Sequence, residues 1–311
     1  MDLKTRLENY NRLGKMKITF TQLQSSYIDN SDLSTFGIQL FQMNLHPEDT
    51  TDLNFCTPFP AHKFDELFEK VEKPEWDEPA PGYNDNFHEA YGLGQWFSEY
   101  LGSHRYDWDL LASRNWEQIK RLRYVGLLDS LQSNVWRMLI CFRTSTLENR
   151  FLSDYSRLTQ KWRMLTVFIP YPRPKVHTAC ILVEQATGED KLLRSEMICA
   201  VSLIRGRMQL KEYKEHQIFP VFVYTFAGRK VRIVQVHFDG KYLVVRLTKY
   251  LDFEEENVDN VKLLLRWMMN EPLGDTILSS PETESFENQP PHLGKGCQFG
   301  QWLDLASLRL S

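Results

Sequence analysis

The 311-residue sequence has no apolar run near the roughly 20 residues that a membrane-spanning helix needs. Its start, Met1-Asp2-Leu3-Lys4-Thr5-Arg6, is charged and lacks the apolar segment of a signal peptide. Cysteine is scarce, odd in number and scattered: Cys56, Cys141, Cys180, Cys199 and Cys297, with no Cys-x-x-Cys. A disulfide framework and a local zinc motif are both excluded, and reduced thiols in a cytoplasmic protein are expected. There is no Gly-x-x-x-x-Gly-Lys-Ser/Thr, so no Walker-type nucleotide site. Gly92-Leu93-Gly94 and Gly294-Lys295-Gly296 stand alone, without the rest of a dinucleotide fingerprint. His-Glu-x-x-His and Gly-x-Ser-x-Gly are missing, and the eight histidines lie apart. The expectation is therefore no cofactor and no metal.

What is present is unevenly spread charge. The chain carries 37 Lys and Arg against 41 Asp and Glu, a net of −4. Residues 114–250 alone hold 24 basic and 11 acidic side chains, a net of +13, which leaves −17 to the flanks. A basic middle within an acidic shell points either to a polyanion such as nucleic acid or to flanks that pack against the middle. Aromatic content is high at 13%, with 8 Trp, enough for a large core or for base-stacking surfaces.

Hydrophobic spacing divides the chain into a mostly helical part over 1–165, an α/β core over 166–270 and a polar tail over 271–311, forming one unit. The first sixty residues read as short β-like runs, such as Lys17-Ile18-Thr19-Phe20, between polar turns. Helices are expected over Ala61–Val71, Phe87–Leu101, Trp116–Tyr124, Leu131–Phe142 and Phe151–Arg163. Lys73–Asp85 and Pro170–Pro174 hold too many breakers for an element. Strands are expected at Met164–Ile169, Ala179–Val183, Phe219–Phe226, Val231–Phe238 and Tyr242–Thr248, and helices at Lys191–Met208 and Asn257–Met269. Pro272–Gly296 is polar and rich in Ser, Pro and Glu. The fold class is α/β (α+β): a central mixed sheet with a tight hairpin, flanked by helices.

Asp239-Gly240 predicts a two-residue hairpin turn. It pairs Phe238 with Lys241, Val236 with Leu243, Val234 with Val245 and Arg232 with Leu247 on an apolar face. The opposite face carries His237, Gln235, Tyr242 and Arg246, either the floor of a pocket or a solvated sheet surface. On the helix before it, Glu196 shares a seam with Leu192, Cys199 and Leu203. A carboxylate there is either paired, with Arg246 or Lys249 as partners, or raised in pKa and fit for acid–base work. Glu184, ending an apolar strand, invites the same two readings. Ser195 and Ser202 neighbour the seam without a motif to single them out. Arg205, Arg207, Lys211 and Lys214 cluster at a helix C-terminus, where they suit the helix dipole or phosphates. Arg121 and Arg123, with Arg114, Lys120, Trp116 and Tyr124, combine base with aromatics as RNA contacts do, or form a solvated helix face.

The run from Leu203 to Phe253 carries two resemblances. Its helix, strand, hairpin and helix look like the core of PD-(D/E)XK nucleases, with Glu196 as the helix acid, Asp239 as the metal-binding aspartate and Lys249 as the lysine. Leu247 stands where that family has its second acid. The stretch LIRGRM…YKEHQIFPVFVYTF…RIVQVHFDGKYLVVRLTKYLDF, within residues 195–253, resembles fungal arginine-containing cyclodipeptide synthases, which draw amino acids from charged tRNAs. That resemblance implies arginyl-tRNA and a second aminoacyl-tRNA as partners and no ATP. It implies a carboxylate for the arginyl side chain, from Glu184 or Glu196, and a base such as His237, His216 or a glutamate. Gln235, Tyr242 and Arg246 would line the substrate site, with Arg121, Arg123, Arg205, Arg207, Lys211 and Lys214 against tRNA. The leading expectation is a tRNA-dependent aminoacyl transferase. The alternatives are a nuclease-like nucleic-acid binder and a non-enzymatic interaction module.

Overall fold

Two segments, Thr178–Glu184 and Val221–Ala227, are buried at every position, as strands covered on both faces must be. They lie at the centre of a computed structural model that describes residues 3–45, 55–68, 85–101, 116–119, 162–170, 175–255 and 257–277. In chain order the elements are α1 (Leu3–Gln22), β1 (Tyr27–Ile28), β2 (Ile38–Gln42), β3 (Cys56–Thr57), α2 (Ala61–Phe68), α3 (Asn86–Leu101), β4 (Trp116–Ile119), β5 (Trp162–Pro170) and β6 (Thr178–Glu184). Then come β7 (Leu192–Leu193), α4 (Arg194–Met208), β8 (Val221–Ala227), β9 (Lys230–Phe238), β10 (Leu243–Leu247), β11 (Leu251–Asp252), α5 (Val258–Met268) and β12 (Glu271–Pro272).

The main sheet is mixed, in the order β2-β10-β9-β8-β6-β5-β4, with β11 added beside β9. Strand β6 is parallel to β8, and β2 is parallel to β10; the other pairs are antiparallel. Parallel neighbours need a long crossover, and α4 supplies it between β6 and β8. Alternation along the strands divides the core in two. Ile181, Val183, Phe222, Tyr224, Phe226, Val231 and Ile233 face α2, α3 and α5. Cys180, Leu182, Val221, Val223, Val234, Val236, Leu243 and Val245 face α1 and α4. The expected α/β class, a mixed sheet flanked by helices, is what the chain forms.

Several local expectations change. The β-like run Lys17–Phe20 lies inside α1, whose inward stripe is Arg6, Leu13, Lys17 and Phe20. Half of that stripe is cationic, so its helical period is hidden from an apolar count. Trp116–Ile119, expected as helix, is a strand pairing with Val167–Pro170, because a waiting sheet edge overrides a weak local preference. Trp162 and Arg163 likewise begin β5 instead of ending a helix. The crossover helix starts at Arg194, three residues late, because Leu192 and Leu193 pair with β1.

The hairpin loop spans four residues, 239–242, so Phe238 faces Leu243 and not Lys241. Gly240 takes φ +96°, and the Asp239 carboxylate accepts from the amides of Lys241 and Tyr242. The register moves by two residues, and because side chains alternate with period two the paired residues keep their expected faces, while Lys241 and Tyr242, expected within the strands, lie in the loop. The tail expected from residue 271 begins bound: β12 pairs with β3, and the Thr276 carbonyl accepts from the amides of Gln217 and Ile218. The helices expected over 131–142 and 151–161 and the breaker-rich loop at 73–84 lie outside the described residues. Among the described residues no helix is long and apolar enough to cross a membrane.

Candidate active site

Strands β6 and β8 run parallel and end at the N-terminus of α4, and open α/β sheets place their ligands beyond such strand ends. Glu184 closes β6 there and is 2% exposed. One carboxylate oxygen accepts from the amides of Gln185 (2.9 Å) and Ala186 (3.3 Å). The other accepts from the Ser195 hydroxyl at 2.5 Å. Ser195 is the second residue of α4 and is itself 2% exposed. Burial pushes the Glu184 carboxyl up to about 7, against the opposing pull of Ser195 and the two amides; the charge of Glu196 adds to the rise. A carboxyl poised near neutrality and bonded to a hydroxyl is suited to take that hydroxyl's proton.

Beside this pair sits a complete ion pair. Arg232 of β9 meets Glu196 of α4 through Nε (2.8 Å) and Nη2 (2.7 Å), with both side chains fully buried. Glu196 also accepts from the Leu193 amide at 2.9 Å, which closes the first turn of α4. Arg232 also donates to the carbonyls of Glu189 and Lys191, and its guanidinium lies 4.7 Å from the centre of the Tyr250 ring. Burial lowers the Arg232 pKa, but Glu196 and Tyr250 outweigh it and the net direction is upward. The Tyr250 hydroxyl is raised by burial and has no partner among the described residues; the Thr225 hydroxyl, opposite Arg232 in the sheet, also has none. Among the described residues no group of three or more His, Cys, Asp or Glu is placed to hold a metal.

The residues singled out from sequence fall in several places. Glu184 and Glu196 come together on the α4 face, where the partner of Glu196 is Arg232 and not Arg246 or Lys249. Gln235, His237 and Arg246 come together on the opposite face of the sheet, with Gln235 directly across from Arg246. Tyr242 is half-buried in the hairpin loop with the Lys241 ammonium 4.8 Å from its ring. Asp239 is exposed and serves its own loop, and Lys249 is exposed. Asp239 follows Arg232 by seven residues along β9, about 23 Å, so the acids of the nuclease-like reading do not converge.

The basic cluster divides as well. Arg207 is 1% exposed and donates to Thr178 Oγ1, the Tyr213 hydroxyl and the His177 carbonyl, so it does not face tRNA. Arg205 lies 4.1 Å from the Tyr10 ring and is half-buried. Lys211 is half-buried, and Lys214 is exposed and 3.6 Å from Glu215. His216 shares a hydrogen bond with Thr276 Oγ1 at 2.7 Å. Arg121 and Arg123 lie outside the described residues. Sequence reasoning assigned no role to Arg232, Tyr250 or Thr225. The available signal was Arg232 itself, a lone cation in the otherwise apolar alternation Val234, Val236, Phe238, facing a helix with one acid.

No family model, no curated protein and no solved structure matches the chain.

Proposed function

We propose that this protein is an aminoacyl transferase that takes activated amino acids from charged tRNA, arginyl-tRNA among them, and joins them into a cyclic dipeptide. The observation that carries the proposal is the buried Ser195–Glu184 hydrogen bond at the N-terminus of α4. In the first step Glu184 takes the Ser195 proton as Oγ attacks the ester carbonyl. The bond from that carbonyl carbon to the ribose oxygen breaks, and the departing oxygen takes the proton back from Glu184. The amide dipoles of the first turn of α4 favour the negative charge that develops beside Ser195. The α-amine of a second aminoacyl-tRNA then attacks the seryl ester and frees Ser195. Attack by the remaining α-amine on the second ester closes the ring. Because each ester arrives activated, ATP is not required, and the sequence has no Walker motif.

Glu196 is already bonded bidentately to Arg232, so its role is to hold Arg232 and the α4 N-terminus in place. The same ion pair weakens the nuclease-like alternative, which needs Glu196 free for a metal. Ser195 follows β7 by two residues and is 2% exposed, so substrate entry requires local opening around the start of α4. Of the basic residues expected against tRNA, Lys214 is exposed and Arg205 and Lys211 are half-buried, and contact to tRNA falls to these three among the described residues.

The test is mass spectrometry of purified protein incubated with aminoacyl-tRNAs, with and without RNase. An arginine-containing cyclic dipeptide that disappears with RNase, and with Ser195→Ala or Glu184→Gln, is the expected result. Folded protein that forms neither product nor a Ser195 ester defeats the proposal and leaves RNA binding or protein interaction.

A further inference from the structure

Helices α1 and α4 carry arginines whose donors are, with one exception, committed to the chain itself. Arg6 donates to the carbonyls of Met208, Tyr213, Lys214 and His216, and Arg12 to the carbonyl of Gly240. Arg194 donates to the Leu23 carbonyl, and Arg207 to Thr178 Oγ1, the Tyr213 hydroxyl and the His177 carbonyl. Arg205 is the exception. It is half-buried, its Nε is buried with no hydrogen-bond partner, and no carboxylate pairs with it among the described residues.

This guanidinium is nevertheless held in place. One face lies on the Tyr10 ring, 4.1 Å from its centre, and the Gln209 side-chain amide donates to the Tyr10 hydroxyl at 2.6 Å. One turn further along α1, Gly14 leaves the room that the guanidinium fills: a Cβ there would stand 3.2 Å from both Cζ and Nη2 of Arg205. Stacking engages the face of the cation and leaves its in-plane N–H groups for an acceptor. Ser202 precedes Arg205 by one turn on the same side of α4. It is 5% exposed, and its hydroxyl also has no partner among the described residues. A fixed cation beside a buried, unpartnered hydroxyl is complementary to an oxyanion.

The surroundings select the kind of anion. Helix α1 carries Lys4, Arg6, Arg12, Lys15 and Lys17 against a single acid, Glu8, and Lys4, Arg12 and Lys15 are exposed. Such a face attracts a polyanion and repels a metal ion. Arg205 and Ser195 lie on the same helix, about 15 Å apart along its axis, a span that a few nucleotides of single strand cover. We propose that the seam between α1 and α4 is a phosphate site, in which Arg205, seated on Tyr10 and Gly14, and the Ser202 hydroxyl hold a backbone phosphate in the single-stranded 3′ end of the charged tRNA. The choice of tRNA rests on the acyl-transfer reading; the site itself rests on the uncommitted guanidinium.

Fluorescence anisotropy of labelled, uncharged tRNA, titrated with the full chain at low and at moderate salt, tests it. Wild type should bind. Arg205→Met should bind about 10- to 100-fold more weakly, the usual effect of losing hydrogen bonds to a charged group, and with a shallower salt dependence. Gly14→Leu, which fills the guanidinium's place but keeps its charge, should also weaken binding, and Ser202→Ala should weaken it less. Lys262→Met, on α5, should bind as wild type does. Thermal melts confirm that the variants are folded, and Arg205→Met, which keeps an aliphatic stem on Tyr10, decides the matter if Gly14→Leu does not fold. tRNA trimmed of its single-stranded 3′ end should bind wild type and Arg205→Met alike.

Equal affinity of wild type and Arg205→Met for intact tRNA overturns the proposal, even where a cyclic dipeptide is formed. A loss on trimmed tRNA as large as on intact tRNA overturns the placement of the 3′ end. Weaker binding by Arg205→Met, confined to intact tRNA, with no dipeptide formed supports the phosphate site and defeats the acyl-transfer reading alone. No binding of tRNA at low salt overturns both.

Discussion

Strand β9 has a polar cluster on each face, and the two are built in opposite ways. Toward α4, Arg232 meets a carboxylate with matched geometry, and nearly every donor has an acceptor. Toward Phe55, Gln235 and His237 keep buried atoms without a partner among the described residues, and an aromatic ring does the covering. The first cluster gains its order from internal pairing, so breaking one member is expensive. The second is held by packing around it, so its polar groups can be removed at lower cost. Among the described residues, buried bonding capacity is left over at Gln235 and His237 and at the Tyr250 and Thr225 hydroxyls beside Arg232.

The largest expected effect comes from breaking the internal pair. Arg232→Met should cost about 3–5 kcal/mol in denaturant unfolding, because Glu196 is left charged and buried. The double variant Arg232→Met with Glu196→Met should recover most of that loss; a double variant as unstable as the single one would mean the pair is not the source.

The next effect is in pH. Glu184 has a folded pKa of about 7 against an ordinary value of 4.5. Its folded form therefore holds the proton more tightly, and its contribution is full below about pH 4.5 and lost as pH rises through 7. Glu184→Gln should be stabilised over wild type at pH 8 by about 3 kcal/mol relative to the difference at pH 4.5. Equal pH profiles for the two proteins would refute this. His177 and His237 run the other way. Burial lowers both to about 4, from 6.5, so their contribution is full above pH 6.5 and lost as pH falls through 4. Replacing His237 with Phe should flatten the acid side of the stability curve.

Smaller effects belong to the Phe55 cover. Gly274→Ala forces both a positive φ and a contact with the Phe55 ring, and a loss of about 1–3 kcal/mol is expected by thermal unfolding. Gln235→Leu should cost about 1–3 kcal/mol, since it removes an unsatisfied amide but leaves the buried Phe55 amide without its acceptor. A loss as large as that of Arg232→Met would erase the contrast between the two faces.

The same contrast explains what could be read from the sequence. Strands β6, β8, β9 and β10 announce themselves through apolar runs and alternation, and α5 through its period and the Asn257 cap, whose side chain accepts from the Asn260 amide. The face carrying Gln235, His237 and Arg246 was legible because alternation survives a two-residue change of register. Arg232–Glu196 was half legible: the buried acid was visible, but its partner sat on a face counted as apolar. Helix α1 was missed because cations occupy its inward stripe, and β4 because its partner strand, not its own sequence, sets its conformation. Phe55 and Gly274 came together through the pairing of β3 with β12, residues more than 200 apart, which no local pattern encodes.

The hidden stripe of α1 also bears on how the chain is made. Arg6 donates to the carbonyls of Met208, Tyr213, Lys214 and His216, closing the end of α4 and the turn after it. Those acceptors are translated about 200 residues after Arg6, which at ribosomal speeds of about 5–20 residues per second is a delay of roughly 10–40 s. Until then the inward stripe of α1 has no groove to fill. The half-cationic composition that conceals the helix from sequence inspection keeps that stripe hydrated while the nascent chain waits for α4.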